Sequence, residues 1–510
     1  MRDPRSSVTR RRVLRTAGSA LALPALGGLS TTRVRAHPES EPGSQSGTET
    51  ETETDSGGPR AHPEDYGPLG RVEVAGAKEA VVADGTAYLA TTSGFATVDL
   101  ADPASPSVLA ERRDLLSDRE NGPLHDVWDV AFDRDALLVV GPAHGGDDLA
   151  AAVVYDVSDP ADPRRRTVHE TDYPVHNAFL DGETAYLTGN DGRRNPMVAV
   201  DATGGGELGR WSVADADEAW LDVPSGLRTL HDLWVQDGVA SLAYWDAGTW
   251  QVDVSDPTAP ELIARIRGAD PSAVAERDRA NVLEPPGNDH YVTVDEDGTL
   301  LGVGVESWDA TPDRPGGGPG RIHLYDVSTP TDPREVATIT PPRADDETRG
   351  GTWTTAHNFE LSNDRLYSAW YRGGVRVFDL SNPSAPGLLR AWEDRDAASF
   401  WTARSAASGD FFVASSTDYR GKLPALFTFP DAGPDERSTL TQTPTPTDTP
   451  DAGNSSNGGS AGESPDGSTE TPTETPTPTA TSEDGPGFGP LAALAGLGAG
   501  AWAALRSGGN

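Results

Sequence analysis

The chain contains no cysteine, two methionines and, in 510 residues, only two lysines, Lys78 and Lys422. Without cysteine there are no disulfide staples, thiolate metal sites, thiol nucleophile, Cys-x-x-Cys-His haem attachment or lipoprotein-type acylation of the N-terminus. Positive charge of any kind is scarce: Lys+Arg is 41 against Asp+Glu 80, a formal net charge of −39. So acidic a surface repels phosphate backbones, which excludes nucleic acid as a partner. Crowded carboxylates tolerate one another where salt shortens the Debye length to about 3 Å at 1 M. The composition therefore suits a protein of concentrated brine, and an isolated Asp or Glu reads as solvated surface.

What is present falls into an N-terminal address, a repeat and a C-terminal address. Arg10-Arg11-Arg12-Val13-Leu14, the uncharged run Thr16–Thr32 and the cleavage region Val34-Arg35-Ala36 form a secretory signal over residues 1–36. The arginine pair Arg10-Arg11 resembles the twin-arginine export signal, which implies export of an already folded chain. Residues 37–65 read as an acidic disordered linker. Residues 433–485 are rich in Thr-Pro pairs, Ser and acids, cannot bury a core and read as an extended stalk, with an N-glycan sequon at Asn454. Residues 486–510 begin Pro486-Gly487-Phe488 and continue as an apolar helix of about 27 Å to Leu505, followed by Arg506. That order of parts resembles the PGF-CTERM sorting signal of archaeal surface proteins. The resemblance implies processing by an archaeosortase and a membrane-lipid anchor, and hence an extracellular glycoprotein of a halophilic archaeon.

Internal similarity governs residues 66–432. Tyr155-Asp156-Val157-Ser158-Asp159-Pro160, Val252-Asp253-Val254-Ser255-Asp256-Pro257, Tyr325-Asp326-Val327-Ser328-Thr329-Pro330 and Phe378-Asp379-Leu380-Ser381-Asn382-Pro383 repeat one strand-end-and-turn phrase. Two strands around an Asp-Gly hairpin precede each phrase and a short apolar strand follows it. The expected fold is all-β: a β-propeller of about seven four-stranded blades, with six or eight the neighbouring counts. Blades begin near Ala77, His125, His176, His231, His290, His357 and Trp401. The third has Asp201-Ala202-Thr203-Gly204 in place of the proline phrase. The seventh lacks a fourth strand, which Leu69-Gly70-Arg71-Val72 is expected to supply, closing the ring. The Asp-Val-Ser-Asp-Pro phrase resembles that of the LVIVD-repeat family, which implies an extracellular propeller and no particular reaction.

Loops are unequal. Those at 111–124, 215–230, 268–289 and 341–356 between blades, and at 141–148, 189–195 and 306–320 within them, are long and share one rim, where binding is expected. Five of ten histidines stand at first-strand starts on that rim: His125, His176, His231, His290 and His357. Four of them precede Asp126, Asn177, Asp232 and Asn358. Glu79 in blade 1 and Arg404 in blade 7 would join them, with His144 and His169 on the same side. Imidazoles around one axis suit zinc, copper, iron or nickel, or an anionic ligand. The same pattern equally suits a hydrogen-bonding device copied with the repeat, tying each first strand to its neighbour.

Trp128, Trp234 and Trp370 are expected in the core, and Trp220, Trp308 and Trp353 in rim loops. Acidic clusters such as Asp147-Asp148 and Asp345-Asp346-Glu347 lack the ordered spacing of a calcium loop. Gly204–Gly209 joins two strands without a helix to receive a pyrophosphate, and Gly458-Gly459-Ser460-Ala461-Gly462 lies in the stalk. Neither match to a catalytic motif has its structural context. The expected role is a surface-anchored binding or scaffolding propeller with an unidentified surface ligand, served by the export and sorting machinery. The alternative is a secreted metal-assisted hydrolase or lyase that uses the rim histidines.

Overall fold

Three units of the repeat open with a hairpin whose two turn residues both adopt left-handed φ, Asn363-Asp364 (54° and 57°) among them. Asp84-Gly85 (48° and 75°) and Asp237-Gly238 (50° and 80°) form the mirror-image turn whose twist matches antiparallel strands. The recurrent phrase then ends the third strand, and its aspartate has a definite task. Asp156 Oδ1 accepts a hydrogen bond from Ser158 N at 3.0 Å, Asp253 Oδ1 from Ser255 N at 2.9 Å and Asp326 Oδ1 from Ser328 N at 2.9 Å. The side chain thus satisfies an N–H that the sheet no longer pairs, while the prolines prevent the strand from continuing. Asp201 does the same for Thr203 N at 2.8 Å in the unit without prolines.

The computed structural model describes residues 66–145, 148–277, 283–309, 317–433 and 436–437. The export signal, acidic linker, Asn454, sorting segment and nearly all of the stalk lie outside the described residues. Among those described, no helix is long and apolar enough to cross a membrane. Seven antiparallel sheets of four strands are present. Their first strands are Ala77–Ala83, Asp129–Asp133, Val175–Asp181, Asp232–Gln236, Asp289–Val294, Phe359–Ser362 and Phe400–Ala407. Each packs against the first strands on either side, and Phe400–Ala407 packs against Ala77–Ala83, so the circle closes around a central channel. The seventh sheet takes its outer strand from the other end of the fold: Gly70–Glu73 pairs antiparallel with Ala425–Pro430. That is the closure expected from the sequence, and it fixes the count at seven.

The apolar core is divided among the seven interfaces between blades. Tyr88 and Phe95 of blade 1 pack with Val130 and Leu137 of blade 2. The last interface joins Ala80 and Leu89 of blade 1 to Val413 and Leu426 of blade 7. Each fully buried Leu or Val contributes about 1.5–3 kcal/mol. Backbones approach closely where needed: a Cβ on Gly302 of blade 5 would lie 2.6 Å from the Phe359 ring of blade 6.

Candidate functional site

Strand register defines equivalent positions in all seven blades. Ala80, Val130, Ala178, Leu233, Val292, Phe359 and Ala403 each face the matching residue of the second strand. Two residues upstream stand Lys78, Trp128, His176, His231, His290, His357 and Trp401, one per blade. Their rings meet in a circle. Centroids are separated by 4.2 Å for His176–His231, 3.8 Å for His231–His290, 4.8 Å for His290–His357 and 4.2 Å for His357–Trp401. Trp401–Trp128 at 5.4 Å and Trp128–His176 at 5.6 Å complete it. Lys78 Nζ lies 5.4 Å from the Trp128 ring centroid and 4.9 Å from that of Trp401.

Four of the five expected histidines therefore converge, and His125 does not. The position in blade 2 belongs to Trp128, because the first strand there starts at Asp129, three residues later than the His125-Asp126 pair suggested. His125 lies in the incoming loop with its side chain 42% exposed, Nε2 2.9 Å from Asp148 Oδ2 and Nδ1 3.8 Å from Asp126 Oδ2. His144 does reach the circle, 4.5 Å from Trp128 and 5.6 Å from His176 between centroids. His169 sits on the outermost strand of blade 2, Arg164–Thr171, away from the channel. Trp128 is half-buried in the circle and Trp234 lines the channel, so of the three tryptophans expected in the core only Trp370 is enclosed. Trp220, Trp308 and Trp353 are buried, and the last two pack with Tyr371 under the rim, so none offers an open stacking face.

The imidazoles carry their protons in a defined place. His176 Nδ1 donates to Ala143 O at 3.0 Å, His231 Nδ1 to His290 O at 2.9 Å and His357 Nδ1 to Trp401 O at 2.6 Å. A carbonyl oxygen only accepts, so Nδ1 bears the hydrogen and Nε2 keeps a lone pair. Two of these bonds cross to the next blade, as the repeat-copied tie would require. Burial, reinforced by neighbouring imidazoles, pushes His176, His231 and His290 well below the usual histidine range; burial brings His357 to about 3. Neutral imidazole with Nδ1–H fixed on a carbonyl is the form in which histidine ligates metals.

A carboxylate completes one sector. Glu306, at the start of a long loop, places Oε2 3.3 Å from His290 Nδ1, and Tyr371 Oη donates to its Oε1 at 2.6 Å. Burial pushes Glu306 up to about 7. One ligand atom from each of His290, Glu306 and His357 lies within 4.8 Å of the others. His290 Nδ1 is buried and has no hydrogen-bond partner among the described residues. Two imidazoles and a carboxylate match the donor preference of first-row divalent ions, and an orphaned buried ring nitrogen beside them is what a ligation site looks like before the ion is added.

One residue deeper stand Glu79, Asp129, Asn177, Asp232, Tyr291, Asn358 and Thr402. Glu79 and Arg404 do not join the imidazoles; they pair with each other in this layer at 2.7 Å, both buried. Asn358 Nδ2 donates to the other oxygen of Glu79 at 2.6 Å, and Asn177 is buried alongside. A cavity of about 170 Å³ runs beneath, lined by Asp129, Asp232, Phe179 and Trp234 among others.

Burial pushes Asp232 up to about 8 against the opposing pull of the Leu233 and Val292 N–H groups, with Glu79 adding repulsion and Arg404 attraction. A carboxyl raised from its ordinary value of about 4 holds its proton in the fold after the unfolded chain has lost it. Its stabilising contribution is whole below about pH 4 and is lost as pH rises to about 8. Asp232→Asn, whose one amide oxygen keeps the bond from Leu233 N and gives up the longer one from Val292 N, is expected to flatten this loss. The midpoint of thermal unfolding should rise by several degrees at pH 9 and barely move at pH 4. A variant less stable than its parent at pH 9 would refute the assignment.

Four of the important side chains escaped sequence reading: Lys78, Trp128, Trp401 and Glu306. A signal existed for the first two. Lys78-Glu79 and Trp128-Asp129 share with His176-Asn177, His231-Asp232 and His357-Asn358 an acid or amide in second place, and aligning on that second residue gives the register directly.

Residues 228–267 and 355–393 match the LVIVD repeat; these are blades 4 and 6, each from just before its first strand to the end of its fourth. No curated protein matches the chain. Among solved structures, the Cps50 (Swd1) β-propeller domain of Myceliophteria thermophila aligns with 11% identity over 72% of this chain and 100% of its own, TM-score 0.49. The WD40 β-propeller domain of Doa1 aligns with 12% identity over 71% of this chain and 96% of its own, TM-score 0.44. The computationally designed Ika8 protein aligns with 10% identity over 70% of this chain and 83% of its own, TM-score 0.42. The chain thus carries LVIVD repeats in two of seven blades.

Proposed function

We propose that this propeller binds one transition-metal ion between His290, Glu306 and His357 at the long-loop mouth of its channel and presents it to an external ligand. The observation that carries the reading is the approach of these three ligand atoms to within 4.8 Å, two of them from neutral imidazoles. Zinc, copper, iron and nickel all accept this donor set. When bound, the ion would supply Lewis acidity. The chain's own residues do the rest: the Trp401 carbonyl orients His357, and the Tyr371 hydroxyl orients Glu306. The proposal extends to location, with the Arg10-Arg11 and Pro486-Gly487-Phe488 segments as addresses that expose the site outside the cell on a lipid anchor. Binding is the primary role; a hydrolase or lyase would need the same ion.

Elemental analysis of protein folded at high salt with each divalent metal tests the reading. One equivalent is expected, lost in both Glu306→Gln and His357→Ala. Saturation at a hundredfold excess over Kd should stabilise the parent by about 2.7 kcal/mol and leave the variants unmoved. Absence of a stoichiometric ion, or full retention by both variants, would rule the site out.

A further inference from the structure

A lysine among the imidazoles calls for an explanation. Lys78, one of two lysines in the chain, is 7% exposed and occupies the blade 1 position of the circle. Its ammonium lies over the faces of Trp128 and Trp401, donates to Thr417 Oγ1 and stands 3.6 Å from Asp418 Oδ1, which is 61% exposed. Burying an ammonium costs several kcal/mol unless a counter-charge and hydrogen bonds meet it. The two indole faces and one exposed carboxylate answer that in part.

Donors at the channel mouth are short of acceptors. The Trp128 and Trp245 indole N–H groups are buried without a hydrogen-bond partner among the described residues, and so are both the amide nitrogen and the oxygen of the Asn288 side chain. Trp245 stacks on His231 of the circle at 6.0 Å, and the backbone oxygen of Asn288 accepts from N of Glu306, one of the proposed ligands, at 3.1 Å. An excess of unmet donors beside an ammonium selects an acceptor-rich, negatively charged guest. Lys78 and the His290–Glu306–His357 group occupy different sectors of one circle, so a guest meeting both needs two oxygen functions.

Building on the metal reading above, we infer that the mouth binds a small organic acid with two oxygen functions: one carboxylate on the Lys78 ammonium, the second function directed to the ion. The surrounding acidic surface does not forbid this, because at molar salt its field decays within about 3 Å.

The test uses the full chain at constant molar KCl, loaded with Co(II), and titrates succinate, acetate and inorganic phosphate by cobalt absorption and by calorimetry. Succinate is expected to bind at least tenfold more tightly than acetate or phosphate. Lys78→Gln should weaken succinate at least tenfold, leaving cobalt stoichiometry and acetate affinity unchanged, and Lys78→Arg should restore part of the loss. Thr417→Val, which removes the hydroxyl that holds the ammonium, gives a milder loss in the same direction and serves if Lys78→Gln does not fold. Equal loss for succinate and acetate, no loss for either, or a preference for phosphate overturns the inference. If the chain takes up no cobalt, the metal reading fails by itself. Calorimetry of succinate on metal-free parent and Lys78→Gln then still decides whether Lys78 holds a carboxylate.

Discussion

Arg404→Met is expected to destabilise the fold by about 3–5 kcal/mol, because among the described residues it removes the one guanidinium that lines the cavity with the buried acids of the channel's second layer. Arg404 Nη2 donates to Glu79 Oε1 at 2.7 Å and to Tyr291 Oη at 2.8 Å, and Nε donates to Ala80 O at 3.2 Å. Its charge also draws down the proton affinities of Asp129, Asp232 and Glu360, each otherwise raised by burial. Methionine keeps much of the volume but leaves Glu79 buried without its cation and the raised carboxyl groups of Asp129, Asp232 and Glu360 without the guanidinium's pull. Those groups then relax by taking up protons, so the loss should be larger at pH 8 than at pH 5. Glu79→Leu combined with Arg404→Met removes both charges and is expected to recover most of the stability, as replacement of whole buried pairs commonly does. Thermal unfolding at high salt reads the effect as a drop of roughly 4–7 °C for the single variant. A melting point within 2 °C or so of the parent would show that the pair carries no such weight.

The circular fold was legible because two kinds of local chemistry repeat along the chain. Left-handed hairpin turns and aspartate-capped, proline-terminated strand ends each need particular residues, and those residues recur in most of the blades. The site was legible only where side-chain type was repeated too. His176, His231, His290 and His357 declared themselves. Lys78, Trp128 and Trp401 occupy the same position with different chemistry, so a search by residue type passes over them. His125 misled for the converse reason: it has the right type and the right neighbour, Asp126, but lies three residues short of the strand. Glu306 and Tyr371 come together across 65 positions through the course of a long loop, which no periodicity encodes. A place in a rim loop does not by itself make a tryptophan an open stacking face. Here Trp308 and Trp353 fold back onto Tyr371, and Trp353 onto Tyr419, making a small core of their own.

Removing the N-terminal strand is expected to have the largest effect of all. Gly70–Glu73 pairs residue for residue with Thr428 to Ala425. Leu69 N donates to Thr428 O at 2.8 Å, Val74 N to Pro424 O at 3.0 Å and Tyr66 Oη to Pro430 O at 2.9 Å. Val72 packs on the Leu426 side of the last interface. At about 1 kcal/mol per net hydrogen bond the segment is worth on the order of 5 kcal/mol before burial is added, comparable with the whole stability of many domains. A chain starting at Ala75 should therefore melt at least about 6 °C below one starting at Arg60, or fail to fold, and the bare edge of Ala425–Pro430 should promote association. The segment is only a strand, so it should act when supplied separately: a peptide of residues 66–76, added at millimolar concentration, is expected to restore much of the lost stability. A peptide with Gly70 replaced by valine should not, because a side chain there would meet the Ala104 and Pro103 carbonyls of blade 1 at 2.6–2.7 Å. Shortened chains that melt like the parent, or equal rescue by both peptides, would mean that the ring is held closed by the blade interfaces alone.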